Sequence, residues 1–63
     1  MNKEQLEWVQ ASIRFLLIEI LSFDVNDPAL RDESEHGRIE VYWLTRKYRR
    51  RNRNMIRVDI YPK

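Results

Sequence analysis

Cysteine is absent from this 63-residue chain; glycine and histidine occur once each and proline twice. Without thiols there is no disulfide staple and no thiolate metal site, and the lone imidazole of His36 cannot build a zinc centre. A single glycine, Gly37, leaves no glycine-rich loop to cradle a phosphate. The longest nearly apolar run, Phe15 to Phe23, is interrupted by Glu19 and Ser22, and it falls well short of the roughly 20 apolar residues that cross a bilayer as a helix. The opening residues Met1 to Glu7 lack the basic and then apolar pattern of a secretory signal. These absences predict a soluble, cytoplasmic protein of a reducing compartment with no membrane partner.

Enzymatic chemistry finds little to stand on. Ser12, Ser22 and Ser34 share one histidine as a prospective base and have no Gly-x-Ser-x-Gly context, so a nucleophilic triad is not expected. Asp24, Asp27, Asp32, Glu33 and Glu35 lie along one polar connection, which reads as a solvated face and not as a two-metal site. No catalytic residue, metal or cofactor is expected.

What the chain does contain is enough apolar residue to fold, with 43% hydrophobic and 11% aromatic content. Its size suits one small domain, residues 1–63. A chain this short buries only about 60% of the surface its unfolded form exposes, so association with another copy is the remaining source of support.

Residues 3–22 predict a helix, because Leu6, Val9, Ile13, Leu16, Leu17, Ile20 and Leu21 recur at spacings of three and four without proline or glycine. Asn2 is placed to cap it, with Gln5 three residues on. Trp8, Ala11, Phe15 and Ile18 form a second apolar flank. The apolar surface is too wide for one contact.

Residues 24–37 form an acidic connection in which Asp27-Pro28 looks like a cap and a first-turn proline, which predicts either a short second helix over about 28–35 closed by Gly37 or an irregular acidic loop. From Arg38 the period becomes two. Ile39, Val41, Trp43 and Thr45 alternate with Glu40, Tyr42, Leu44, Arg46 and Tyr48, and Ile56, Val58 and Ile60 repeat the pattern. The expectation is an α+β protomer: one long helix and a two-stranded antiparallel hairpin over 38–61, with strands at 38–48 and 53–61. Its loop is Arg49-Arg50-Arg51-Asn52, with Asn52 in the left-handed conformation, which sets Trp43 opposite Val58 and Val41 opposite Ile60. Pro62 ends the second strand. One hairpin covers one side of the helix, so a homodimer is expected, with Trp8, Phe15 and Ile18 as its surface or a partner's, or with strands paired edge to edge.

The net charge of +2 hides a strong asymmetry. Residues 1–37 carry three basic residues, Lys3, Arg14 and Arg31, against eight acids, whereas residues 38–63 carry nine basic residues against Glu40 and Asp59. Six of the eight residues from Arg46 to Arg53 are Arg or Lys. Arginine pairs bidentately with phosphate and stacks on bases, and basic two-stranded ribbons enter duplex grooves. The candidate binding residues are Arg46, Lys47, Tyr48, Arg49, Arg50, Arg51, Arg53 and Arg57, with Tyr42, Tyr48 and Tyr61 available to stack on unpaired bases.

The functional expectation is a small non-enzymatic accessory protein that binds DNA or RNA through its arginine-rich hairpin tip. The alternative is a protein-interaction module or inhibitor that docks on an acidic surface through the tip, or on a basic surface through the acidic connection. A bland reading stands beside both, in which the arginines form a solvated turn or are neutralised by the acidic stretch within the fold or across a dimer. The order of elements is similar to small ribbon-type nucleic-acid binders in general, and no motif names a family. A chain of this length beginning at Met1 suits a viral or bacterial accessory protein.

Overall fold

A computed structural model describes all of residues 1–63. Helix α1 spans Lys3–Ile20 and starts with the expected capping box: the Gln5 amide donates to Asn2 Oδ1 at 2.8 Å, and the Asn2 amide donates to Gln5 Oε1 at 3.1 Å. Its buried line is Val9, Ser12, Leu16 and Ile20, with Ile13 and Leu17 packed at the margin. This is the three-and-four spacing of a face that meets a sheet.

The sheet has three antiparallel strands in the order β1-β2-β3: β1 at Leu30–Ser34, β2 at Gly37–Tyr48 and β3 at Arg51–Pro62. The helix lies across β2 and β1. Ile39 and Val41 on β2 are fully enclosed and form the core with Val9, Leu16 and Ile20. Trp43 extends that core, donating its indole N–H to the Ile20 and Phe23 carbonyls at 3.0 Å each.

The expectation of a two-stranded hairpin is corrected here, because the acidic connection supplies a third strand and no second helix. Between Asn26 and Gly37 the only large apolar residue is Leu30, so a helix there would have no stripe to bury. A strand needs less. Leu30 packs against the core, Asp32 accepts a hydrogen bond from the buried Ser12 hydroxyl, and the backbone fills the edge of β2 from Gly37 to Val41. Asp27 caps a turn instead of a helix, accepting from the Asp24 amide at 2.8 Å.

Gly37 does not close a helix either. It opens β2 with φ +142°, where a Cβ would sit 2.3 Å from the Tyr61 carbonyl oxygen, a position only glycine occupies without displacement.

The hairpin loop is also shorter than expected. Tyr48 opposes Arg51, so Arg49 and Arg50 alone make the turn, and Asn52 lies within β3 opposite Lys47. Arg49, not Asn52, is left-handed, with φ +56°. Two-residue loops match the twist of paired strands, which explains why the ladder runs two residues further. Trp43 consequently faces Ile56, Val41 faces Val58 and Ile39 faces Ile60. A shift of two keeps every side chain on its expected face; a shift of one would have inverted them.

Candidate nucleic-acid interface

β1 opposes β2 only as far as Val41, and α1 ends at Ile20 beside Trp43. Beyond that point the sheet narrows to β2 and β3 alone. Thr45–Tyr48 and Arg51–Met55 are exposed throughout, and the molecule is drawn out to 43 × 21 × 15 Å. At about 3.4 Å per residue the ribbon from Val41 to Tyr48 reaches roughly 24 Å past the three-stranded part. The basic segment is therefore an arm and not a loop flush with the surface.

Alternation along the arm distributes its cations. Arg46 with Arg53, and Tyr48 with Arg51, occupy the face turned away from the helix, Lys47 lies on the other face opposite Asn52, and Arg49 and Arg50 cap the end. Thr45 donates its hydroxyl hydrogen to Asn54 Oδ1 at 3.1 Å on the Lys47 face. An open notch at the turn is lined by Tyr48, Arg49, Arg50, Arg51, Asn52 and Arg53. Tyr48 is the arm's one aromatic, and the guanidinium groups of Arg49 and Arg53 sit 5.5 and 5.7 Å from its ring centroid. Cation–π attraction draws both arginines toward the ring, which stays 58% exposed.

The base of the same outer face behaves differently. Arg31 reaches Glu40 at 3.1 Å and Glu33 at 3.6 Å, Arg38 reaches Glu40 at 3.5 Å, and Arg57 reaches Asp59 at 3.1 Å. Tyr42 adds an O–H bond to Asp59 at 2.8 Å, and Arg38 covers the Tyr61 ring at 4.5 Å. The Tyr42 hydrogen bond and then the Arg57 guanidinium hold the Asp59 carboxyl below the usual aspartate range, while the same bond to Asp59 raises Tyr42. Arg57, a candidate by sequence, thus stands in a neutralised patch away from the arm.

No such partner exists further out. Arg46, Lys47, Arg49, Arg50, Arg51 and Arg53 make no ion pair, and no acid occurs between Glu40 and Asp59 in sequence. Neutralisation of these arginines by the acidic stretch within one protomer is therefore corrected. Glu33 is taken by Arg31, Asp32 by Ser12 and Glu35 approaches His36 at 3.6 Å. Those groups face the base of the sheet.

The remaining sequence candidates lie on the helix. Trp8 is half-buried with its ring centroid 6.0 Å from that of His36, whereas Phe15 and Ile18 are 64% and 71% exposed. Thr45, Asn52 and Asn54 join the arm without being sequence candidates: Thr45 and Asn54 are uncharged strand residues, and Asn52 is expected in the loop where the structure has it in β3. No helix of the chain is long and apolar enough to cross a membrane. No protein family, characterised protein or solved structure matches this chain.

Proposed function

We propose that the protein is a non-enzymatic, intracellular accessory factor that binds nucleic acid by inserting its β2–β3 arm into a groove of a duplex. The observation that carries this reading is the contrast along one sheet: arginines at the base are each matched to a carboxylate, and the six cations of the arm are matched to none. Like charges gathered this closely repel one another, and phosphate supplies what the protein withholds.

The arm's shape supports a duplex over a single strand. A two-stranded ribbon fits a major groove about 12 Å wide, and cations on both faces and the end address phosphates on both walls. Single-strand binders offer several aromatic faces for stacking; the exposed part of this arm has one aromatic, Tyr48, with Arg49 and Arg53 already 5.5 and 5.7 Å from its ring centroid. Docking of the acidic segment on a basic surface has less support, since Asp32 is held by Ser12, Asp24 and Asp27 accept turn amides and Glu33 lies 3.6 Å from Arg31, which leaves Glu35 as its one largely free carboxylate.

The test is titration of a labelled duplex, with single-stranded DNA and RNA of the same sequence, at about 50 and 200 mM salt, a range over which phosphate-dominated affinity falls steeply. Salt-sensitive binding that favours duplex supports the reading. Absence of binding at the lower salt, together with capture of an acidic protein from host extract, would replace it with the protein-docking alternative.

A further inference from the structure

β3 is an open edge for its full length, and its two faces and its free backbone groups share one centre. The ladder is anchored at its base by the Lys63 amide, which donates to the His36 carbonyl at 3.0 Å. Opposed pairs in an antiparallel ladder alternate between bonded and non-bonded, so the odd-numbered residues of β3 bond to β2. Asn52, Asn54, Ile56, Val58 and Ile60 turn their N–H and C=O groups outward, and Pro62 turns out a carbonyl alone. Nothing blunts this edge on the helix side: the apolar residues there are Ile56, Val58 and Ile60, with Ile60 36% exposed because the helix lies across β2 and β1.

Natural edges of this kind are protected by charge, bulges or a covering element, or else they pair. The surface of 5246 Å² also exceeds the roughly 4,400 Å² expected of a compact monomer of this mass. The radius of gyration, 13.4 Å, likewise exceeds the roughly 10–11 Å typical of a globular chain of this length.

We infer that β3 pairs antiparallel with β3 of a second copy about a two-fold axis at Val58, giving a continuous six-stranded sheet. In that register Val58 bonds reciprocally to the second copy's Val58, and Ile56 opposes the second copy's Ile60. On the outer face Arg57 opposes the second copy's Asp59, twice by symmetry. Neighbouring symmetric registers fail on charge: an axis at residue 57 opposes two arginines, and one at residue 59 opposes two aspartates. The chosen register has one kind of like-charged contact, Arg53 with the second copy's Lys63, which occurs twice by symmetry at its outer ends. Both arms then lie in one sheet and point in opposite directions, which leaves each free to meet nucleic acid.

The helix flank of Phe15 and Ile18 is the competing surface, and sedimentation of the whole chain decides between them without any nucleic acid. The wild type is expected as a dimer of the 7.8 kDa chain, with the Ile56, Val58 and Ile60 amides protected from exchange only at concentrations where the dimer forms. Arg57→Asp and Asp59→Arg should each weaken dimerisation roughly tenfold or more, and the double exchange should restore it. Ile18→Glu should leave it unchanged. Val58→Pro removes an outward N–H that β2 does not use, and it should give a folded monomer. A wild-type monomer at high micromolar concentration would overturn the inference, as would a dimer broken by Ile18→Glu but indifferent to the Arg57 and Asp59 exchanges.

Discussion

Trp43 donates its indole N–H to the Ile20 carbonyl at 3.0 Å and to the Phe23 carbonyl at the same distance. That forked bond joins the last turn of α1 to the strand from which the arm departs. Carbonyls at a helix end have no partner within the helix, and here a strand side chain supplies one.

Trp43→Phe keeps an aromatic ring but removes the donor to the Phe23 carbonyl, while the Ile20 carbonyl keeps its bond from the Phe23 amide at 3.0 Å. A loss of about 1–2 kcal/mol is expected, the usual cost of stranding a partly buried acceptor. Urea denaturation followed by the fluorescence of the remaining Trp8 measures it. Duplex binding should persist wherever the variant is folded, because Trp43 lies below the arm.

Much of this architecture is legible in the residues. Asn2 and Gln5 announce the cap, the spacing from Val9 to Ile20 announces the buried helix face, and Ile39, Val41 and Trp43 announce the inward side of β2. The third strand is illegible for a physical reason: Leu30, Asp32 and Ser34 carry one apolar side chain among them, and what stabilises β1 is the β2 backbone and the buried Ser12, neither of them local. The turn is not legible either, because local propensity prefers asparagine in the left-handed region, whereas the ladder prefers the two-residue loop and puts Arg49 there. The density of the charge was visible from sequence. That the acids stay at the base and leave the arm unmatched depends on the fold.

Arg49 holds φ +56° at the first central position of a two-residue turn, where a side chain costs about 1–2 kcal/mol over glycine. Arg49→Gly is expected to stabilise the protein by about 1 kcal/mol, since glycine's extra unfolded-state entropy offsets part of the gain. Its urea midpoint should rise with unchanged slope. Duplex affinity should fall, and the log–log salt slope should shrink by about 0.9 if that guanidinium meets one phosphate.

Gly37 should tolerate no side chain. Gly37→Ala brings a Cβ against the Tyr61 carbonyl at a φ that L residues rarely adopt, for an expected loss of about 1–3 kcal/mol. Thermal unfolding reads the loss directly. Faster amide exchange should be concentrated at the base, around Tyr61 and Lys63, while the turn at Arg49 is unaffected.

Asp59 gives a pH dependence with a definite sign. Its folded carboxyl is lowered below the ordinary value of about 3.8 by Tyr42 and Arg57, so its contribution is fully present above that value and is lost as pH falls through the lowered one. Tyr42 acts in the opposite range: raised above 10 when folded, it contributes below 10 and that contribution is lost as pH rises through its folded value. Urea midpoints measured down to strong acid should fall more steeply for the wild type than for Asp59→Asn. Parallel curves would mean that the carboxylate is unperturbed.

The sharpest prediction concerns the end of the arm. Arg50 lies in the turn and Arg51 is the first residue of β3; both are exposed and neither is ion-paired. Replacing both by glutamate reverses charge at the end of the arm while removing no buried contact, so stability should change by less than about 0.5 kcal/mol or rise as repulsion is relieved. Duplex binding should disappear. For the wild type, four to six phosphate contacts per arm imply a log–log salt slope of about −4 to −5 for each engaged arm on B-form DNA. Conversion of Arg46 and Arg53 to alanine should flatten that slope by about 2 if each meets a phosphate, without abolishing binding, because the turn remains. Anisotropy titrations over a salt series separate these outcomes. Unchanged binding by the Arg50→Glu, Arg51→Glu protein would remove the arm from the interface, whatever the oligomeric state, since sedimentation of the same variant reports the β3 edge independently.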